Sequence, residues 1–346
     1  MFKFRREKKT SSGSDLADRM SEYLDCDCIV IMPGEDDGRL VKIYQEAAAK
    51  RDVFPVFVRV DAALMESLLL NSDPADAGEE EEETEIPDPI FSDSSDEDEE
   101  EAPGSSGDVP WKFNPVKIRA YREDKLTADL PDGKGYFDEL RREEKFTEQE
   151  EPDKQEKKET ESREWPCAGR PERSEGRFHF LQNRLSEDNG AANGENGESE
   201  KNRKAGGDDV ICRPELTLSD LKNLRSFWEF GTGLISETIL ALIPVSDPWR
   251  IFAWLPFGGW NRCPDTEHMM AVSKYWYEKY GAVPIAVSHD ELEFLLPRSL
   301  SRKQADEVSK EHALFCPDIV KPEGKLTEEQ LSEFLNGSKC WYFWWD

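Results

Sequence analysis

The sequence predicts an α/β or α+β domain, a mixed sheet with flanking helices, interrupted by a long disordered acidic insert. Three observations carry that expectation. Short apolar runs alternate with helical patterns at both ends of the chain, the signature of a layered fold. Between them, from Val60 to Trp111, there are 19 Asp and Glu and no Lys or Arg, which supplies most of the formal net charge of −30. The chain closes on Trp341-Tyr342-Phe343-Trp344-Trp345-Asp346. Each of those rings can bury roughly 150–250 Å², so this tail reads as a strand pinned into a core, not as a frayed terminus.

Residues 1–23 read as a flexible basic start followed by a short helix over 14–24, with Ser14 as its N-cap. A β-α-β-α lobe spans 24–71. Its first strand is Cys28–Met32. A helix over 38–51 turns Leu40, Ile43, Tyr44 and Ala47 to one side, Val53–Val60 is a second strand, and Ala62–Leu70 is a second helix. Residues 72–207 have too few apolar groups to offset the entropy of ordering. One island at about 109–146, with Trp111, Phe113, Ile118, Tyr121, Tyr136, Phe137 and Leu140, is expected to dock onto the folded part.

Residues 208–346 hold eight of the ten Trp residues and form the clear globular unit. A helix is expected over 217–228, and strands over Ile239–Val245 and Ile251–Phe257. Pro264 should open a helix that buries Met269, Val272, Trp276 and Tyr280 and ends at Gly281. Val283–Ser288 and Glu291–Leu296 should pair as a hairpin about His289-Asp290. Ser301-x-x-Gln304 and Thr327-x-x-Gln330 are capping boxes that open two further helices. Asn336-Gly337 ends the second of these, and Cys340–Trp345 is the last strand.

The charge balance excludes a nucleic-acid binder, which needs clustered Lys and Arg, and favours a basic protein partner. No run approaches the roughly 20 apolar residues of a membrane span, and no apolar stretch follows the basic start as a secretory signal would require. Seven Cys without regular spacing fit reduced thiols in the cytoplasm.

Phe-Gly-Gly-Trp-Asn-x-Cys-Pro (257–264), Phe-Cys-Pro-Asp-Ile-Val (315–320) and Trp-Tyr-Phe-Trp-Trp-Asp (341–346), in that order, resemble a bacterial family known as domain of unknown function 4253. The resemblance covers about 239–346 and includes the segment Trp276–Pro284. Residues 29–70 are similar, less specifically, to the N-terminal part of longer members. The resemblance implies no established activity, cofactor or partner. It keeps both cysteines of the motifs but usually has Gln where His312 stands.

Several residues are candidates for a site. Cys263, His268, His312 and Cys316 offer the two thiols and two imidazoles that tetrahedral zinc would accept, set against buried cysteines that merely pack. Cys263 ahead of a helix start could be an activated nucleophile, with His312 or His268 as base and Asp318 or Glu311 orienting it. The alternative is a Gly258-Gly259 turn with Cys263 packed beneath it. Trp260, Asn261, Glu311, Asp318, Trp344 and Asp346 could converge as a binding pocket, while Glu311 on the 301–316 helix is better read as half of a buried pair. The loop Met32–Gly38 carries too many carboxylates to cradle phosphate and reads as a helix cap. The expectation for function is a non-catalytic cytoplasmic binding module, immunity- or antitoxin-like, that masks a basic partner and needs no cofactor. The alternative is an enzyme or ligand-binding domain built from the 257–264, 311–318 and 341–346 segments.

Overall fold

The computed structural model describes residues 13–73, 111–150, 213–226, 236–320 and 326–345. The acidic runs at 79–83 and 96–101, the stretch 151–207 and Asp346 lie outside the described residues.

Ser14 caps α1 (Asp15–Leu24) by accepting from the Ala17 N–H. β1 is Asp27–Ile31. Asp36 caps α2 (Asp37–Ala48), so the 32–38 loop serves as a helix start, as its acids suggest. β2 (Phe54–Arg59) runs into α3 (Ala62–Ser72), capped by Asp61 through the Ala63 and Leu64 N–H groups. The aromatic island is α4 (Pro115–Thr127) and α5 (Gly133–Glu150). Its docking includes two buried anchors. The Arg122 guanidinium donates to the Tyr23 carbonyl and lies over the Tyr23 and Trp254 rings. Phe137 is buried against Tyr275 and Trp276.

In the C-terminal part the helix expected over 217–228 is only α6, Leu218–Asn223. Leu224 turns extended, which frees the next backbone N–H groups for a partner described below. β3 is Thr238–Ile243. The strand expected over Ile251–Phe257 does not form: Pro248–Ala253 is a 3₁₀ turn, with the Trp254 N–H donating to the Ile251 carbonyl. Short apolar runs do not distinguish a buried strand from a buried helical turn, and the proline at the first position selects the latter. α7 (Thr266–Tyr280) starts at the Asp265 cap rather than at Pro264, whose carbonyl instead receives the Gly259 N–H. It ends at Gly281, whose φ of 73° supplies the left-handed cap. β4 (Val283–Val287) and β5 (Glu291–Leu295) form the expected hairpin. α8 (Arg302–Phe315) and α9 (Glu328–Leu335) both open with capping boxes, and β6 is Cys340–Trp344.

All six strands form one mixed sheet in the order β1-β3-β2-β4-β5-β6. β2 and β4 pair parallel and the other neighbours antiparallel. The 24–71 lobe and the C-terminal block therefore share a sheet, with β2 inserted between β3 and β4. Register places Phe57, Ala286, Glu293 and Tyr342 in one row on one face. α2 covers that face, stacking Tyr44 on Phe57 at 5.6 Å. α7 and α8 cover the other, where Trp276 stacks on Phe343 at 5.3 Å and meets Phe294 edge-on at 5.6 Å. The terminal strand is thus bolted by its own aromatics, as the tail predicts.

Candidate binding site at the carboxyl end of the sheet

The strand directions bring the family-like motifs together. β2 and β4 are parallel, β5 reverses against β4, and β6 reverses again. The carboxyl ends of β2, β4 and β6 therefore lie at one end of the sheet, and β1 points the same way through β3. In open α/β sheets this is where ligands bind. Acidic side chains collect here: Asp36 and Asp37 after β1, Asp61 after β2, and Asp290 and Glu291 between β4 and β5.

The β4–β5 turn is held from several sides. The Ser288 hydroxyl lies 3.1 Å from both Asp290 Oδ1 and Glu291 Oε2, and its oxygen accepts the Glu291 N–H. Trp344 Nε1 donates to Asp290 Oδ2 at 2.9 Å, the Trp345 N–H donates to the Asp290 carbonyl, and the Tyr342 hydroxyl donates to Glu291 Oε1 at 2.7 Å. His289 Nδ1 lies 3.4 Å from Asp61 Oδ2 and 3.3 Å from Asp290 Oδ1. Burial works against the imidazolium, but the two carboxylates outweigh it and the His289 pKa rises. Burial likewise opposes the Asp61 carboxylate, yet His289 and the cap N–H groups bring it down to about 2.

Behind this turn sits Glu293, fully buried in β5. Its Oε1 accepts the Arg225 and Ser226 N–H groups at 2.7 and 2.6 Å, the donors that the early end of α6 releases. Its Oε2 has no hydrogen-bond partner. Burial, with the neighbouring Glu291 adding to it, pushes the Glu293 pKa up to about 8, against the pull of the two backbone donors.

The 257–264 loop packs beside the turn. Gly258 and Gly259 have φ of 93° and 75°, and a Cβ on Gly258 would stand 2.3 Å from the Pro264 carbonyl oxygen and 2.9 Å from Cys263 Sγ. Only glycine fits that approach. Asn261 also takes a left-handed φ of 48°, and Trp260 packs partly buried against the core. Asn71, which sequence reasoning passed over, ties α3 to this loop by donating to the Pro256 and Gly258 carbonyls.

Cys263 is buried beneath the glycine turn. Burial first, then neighbouring Cys316, Asp290 and Asp318, hold its thiol well above the usual range. The helix-start activation expected for it is absent, because α7 begins three residues later and acids surround the sulfur. Cys316 Sγ donates to the Trp344 carbonyl at 2.9 Å, and burial raises its pKa too. Asp318, in the 3₁₀ turn Pro317–Ile319, is half-buried.

The remaining candidates go elsewhere. His312 is fully buried beside Trp276, Trp341 and Phe343, with ring centroids 5.3, 4.7 and 4.5 Å away. Neither ring nitrogen has a partner, and burial brings its pKa down to about 3. His268 lies in the first turn of α7, with its backbone N–H donating to the Asp265 cap and Nδ1 2.9 Å from Asp265 Oδ1. Glu311 accepts from Tyr275 Oη, Trp276 Nε1 and Lys279 Nζ at 2.8, 2.9 and 2.7 Å. It forms the buried ion pair that the helix pattern favours, with Lys279. The Cys263, His268, His312 and Cys316 set is therefore split between core and surface. Among the described residues no group of three or more His, Cys, Asp or Glu is placed to hold a metal ion, and no helix is long and apolar enough to cross a membrane.

Fold and site together define an α+β protein with an acid-lined end of a mixed sheet, whose loops are braced by aromatic and cysteine motifs. Residues 239–346 match the family model described as Domain of unknown function (DUF4253). That match spans β3 to β6 and leaves β1 and β2 outside it. No curated protein and no solved structure matches the chain.

Proposed function

We propose that this protein is a non-catalytic binding module of the cytoplasm that masks a basic partner protein, taking a Lys- or Arg-rich segment against the carboxyl end of its sheet. The observation that carries the reading is the pair of acids fixed around the β4–β5 turn, Asp61 and Asp290, held in place by the α3 cap N–H groups, Trp344 and Ser288. Carboxylates positioned in advance cost little to organise when a cation arrives. The strongly acidic sequence between Val60 and Trp111 adds long-range attraction for the same kind of partner. The enzyme alternative requires a nucleophile in contact with a base. Cys263 is held as a thiol, and His312 stands neutral inside the aromatic core.

The test titrates the full chain with an arginine-rich peptide across a salt series. Its counterpart is the variant Asp61→Asn, Asp290→Asn, which keeps the cap and the Trp344 hydrogen bond but removes two charges. The expected loss is about tenfold in affinity, roughly 1.4 kcal/mol. Equal affinity would remove the carboxyl end from the interface and leave only the acidic segment.

A further inference from the structure

Two cysteines that the sequence motifs do not include stand together at the far side of the sheet. Cys26 Sγ and Cys28 Sγ are 3.9 Å apart, and both residues are partly exposed. Cys28 lies in β1, the edge strand that begins the sheet order, opposite Ala241. Cys26 precedes the strand, immediately after Asp25, whose φ of 48° turns the chain out of α1. This bend lets both side chains face one another, where regular strand geometry would hold them further apart.

We propose that Cys26 and Cys28 form a reversible dithiol–disulfide site, oxidised by exchange with a low-molecular-weight disulfide. The hydrogen bond between the sulfurs is the first cause holding the proton on Cys26, whose pKa rises well above the usual value, with burial second. Either sulfur can donate that hydrogen bond; with the proton held on Cys26, Cys28 is the sulfur that attacks. Its thiolate displaces one thiolate from the small disulfide and forms a mixed disulfide. Cys26, losing its proton to solvent, attacks Cys28 Sγ and expels the second thiolate. One S–S bond is consumed and one formed, and the two electrons leave with the two small thiols. The sulfurs must close from 3.9 Å to about 2.05 Å, a movement within side-chain rotation and a small shift of the bend. Arg122 lies near enough to Cys26 to favour its thiolate during the second step. A ring this small is strained, and strained disulfides are the readily reduced, regulatory ones. A metal does not explain the pair as well, because structural zinc takes four ligands, and among the described residues no group of three or more His, Cys, Asp or Glu is placed to hold a metal ion. The bend also carries Asp25, whose carboxylate holds Arg119 of α4 at 3.0 Å. Closure of the ring therefore acts on the contact between α1 and α4.

The full chain, reduced and folded, is equilibrated with mixtures of reduced and oxidised glutathione, quenched in acid, alkylated and digested with trypsin. The peptide Met20–Arg39 contains both cysteines and no other. The expected result is its conversion from two alkylated thiols to none, with loss of two hydrogens, and full return in excess dithiol. Cys26→Ser should stop at one glutathione adduct on Cys28. The inference is overturned if the peptide keeps both alkyl groups throughout, if it ends with two glutathione adducts, if either sulfur pairs with a cysteine elsewhere, or if Cys26→Ser takes no adduct.

Discussion

Glu293→Gln is the substitution whose outcome can be worked furthest. The folded pKa of about 8 stands above the ordinary 4.5, so between those values the folded chain holds a proton that the unfolded chain has released. Stability is then fully present below about pH 4.5 and is lost as pH rises towards 8, at up to roughly 1.4 kcal/mol per pH unit. The whole shift corresponds to a cost of about 5 kcal/mol once the side chain must be buried as an anion. Glutamine keeps the acceptor for the Arg225 and Ser226 N–H groups but never ionises. It adds an unsatisfied amide, a pH-independent loss of about 1 kcal/mol. The assay is urea unfolding of both proteins from pH 5 to pH 9. Native stability should fall relative to the variant by on the order of 4 kcal/mol over that range, so that the variant becomes the more stable protein at high pH. His289, whose raised pKa also gives stability that fades with rising pH, is present in both proteins and cancels in the difference. A difference that stays flat within about 0.5 kcal/mol would refute the claim that Glu293 is protonated in its buried seat.

Two further outcomes follow from the same packing. His312→Leu should be neutral or stabilising by about 1–2 kcal/mol at pH 7, because the imidazole is buried with neither nitrogen bonded. The native protein should also lose stability on acidification from its unfolded pKa of 6.5 towards about 3, a loss that the leucine variant escapes; a large destabilisation in urea would mean that those nitrogens have a partner. A fragment of residues 236–346 should show no near-ultraviolet circular dichroism and no cooperative urea transition, since it lacks the strand that joins β3 to β4, and a sigmoidal transition would contradict the sheet order.

Much of the fold is legible in the sequence because its determinants are local. Capping boxes at Ser301 and Thr327, the Gly281 stop and the apolar face of α7 depend on residues within a turn or two of each other. The order of the strands is not local: nothing in Phe54–Arg59 announces that it separates Thr238–Ile243 from Val283–Val287. The apolar run Ile251–Phe257 misleads because burial erases periodicity. The site was harder to read. In Glu291-Leu292-Glu293-Phe294 the alternation suggests a solvated face for the glutamates, yet both are buried. Only the three-dimensional coincidence of Ser288, Tyr342 and the Arg225–Ser226 backbone accommodates them. Asp61 and His289 meet through the parallel pairing of β2 and β4, which leaves no trace in spacing.

The motif residues themselves mostly hold one another. Cys316 bonds the backbone of Trp344, Trp345 bonds the backbone of Asp290, Asn71 bonds the loop at Gly258, and Cys263 fills the space beneath that glycine. Groups consumed in this way have little left to offer a substrate, and the two thiols are kept protonated by the same burial that makes them good filler. Under the proposed reading, binding at this end of the sheet therefore falls to side chains that the motifs support but do not contain: Asp61 and His289. This separation explains why the motifs can mark a family and a fold while giving no reaction. A rigid floor built from aromatics and cysteines fixes the height and direction of the β4–β5 turn, and in the proposed reading the charges mounted on that turn select the partner.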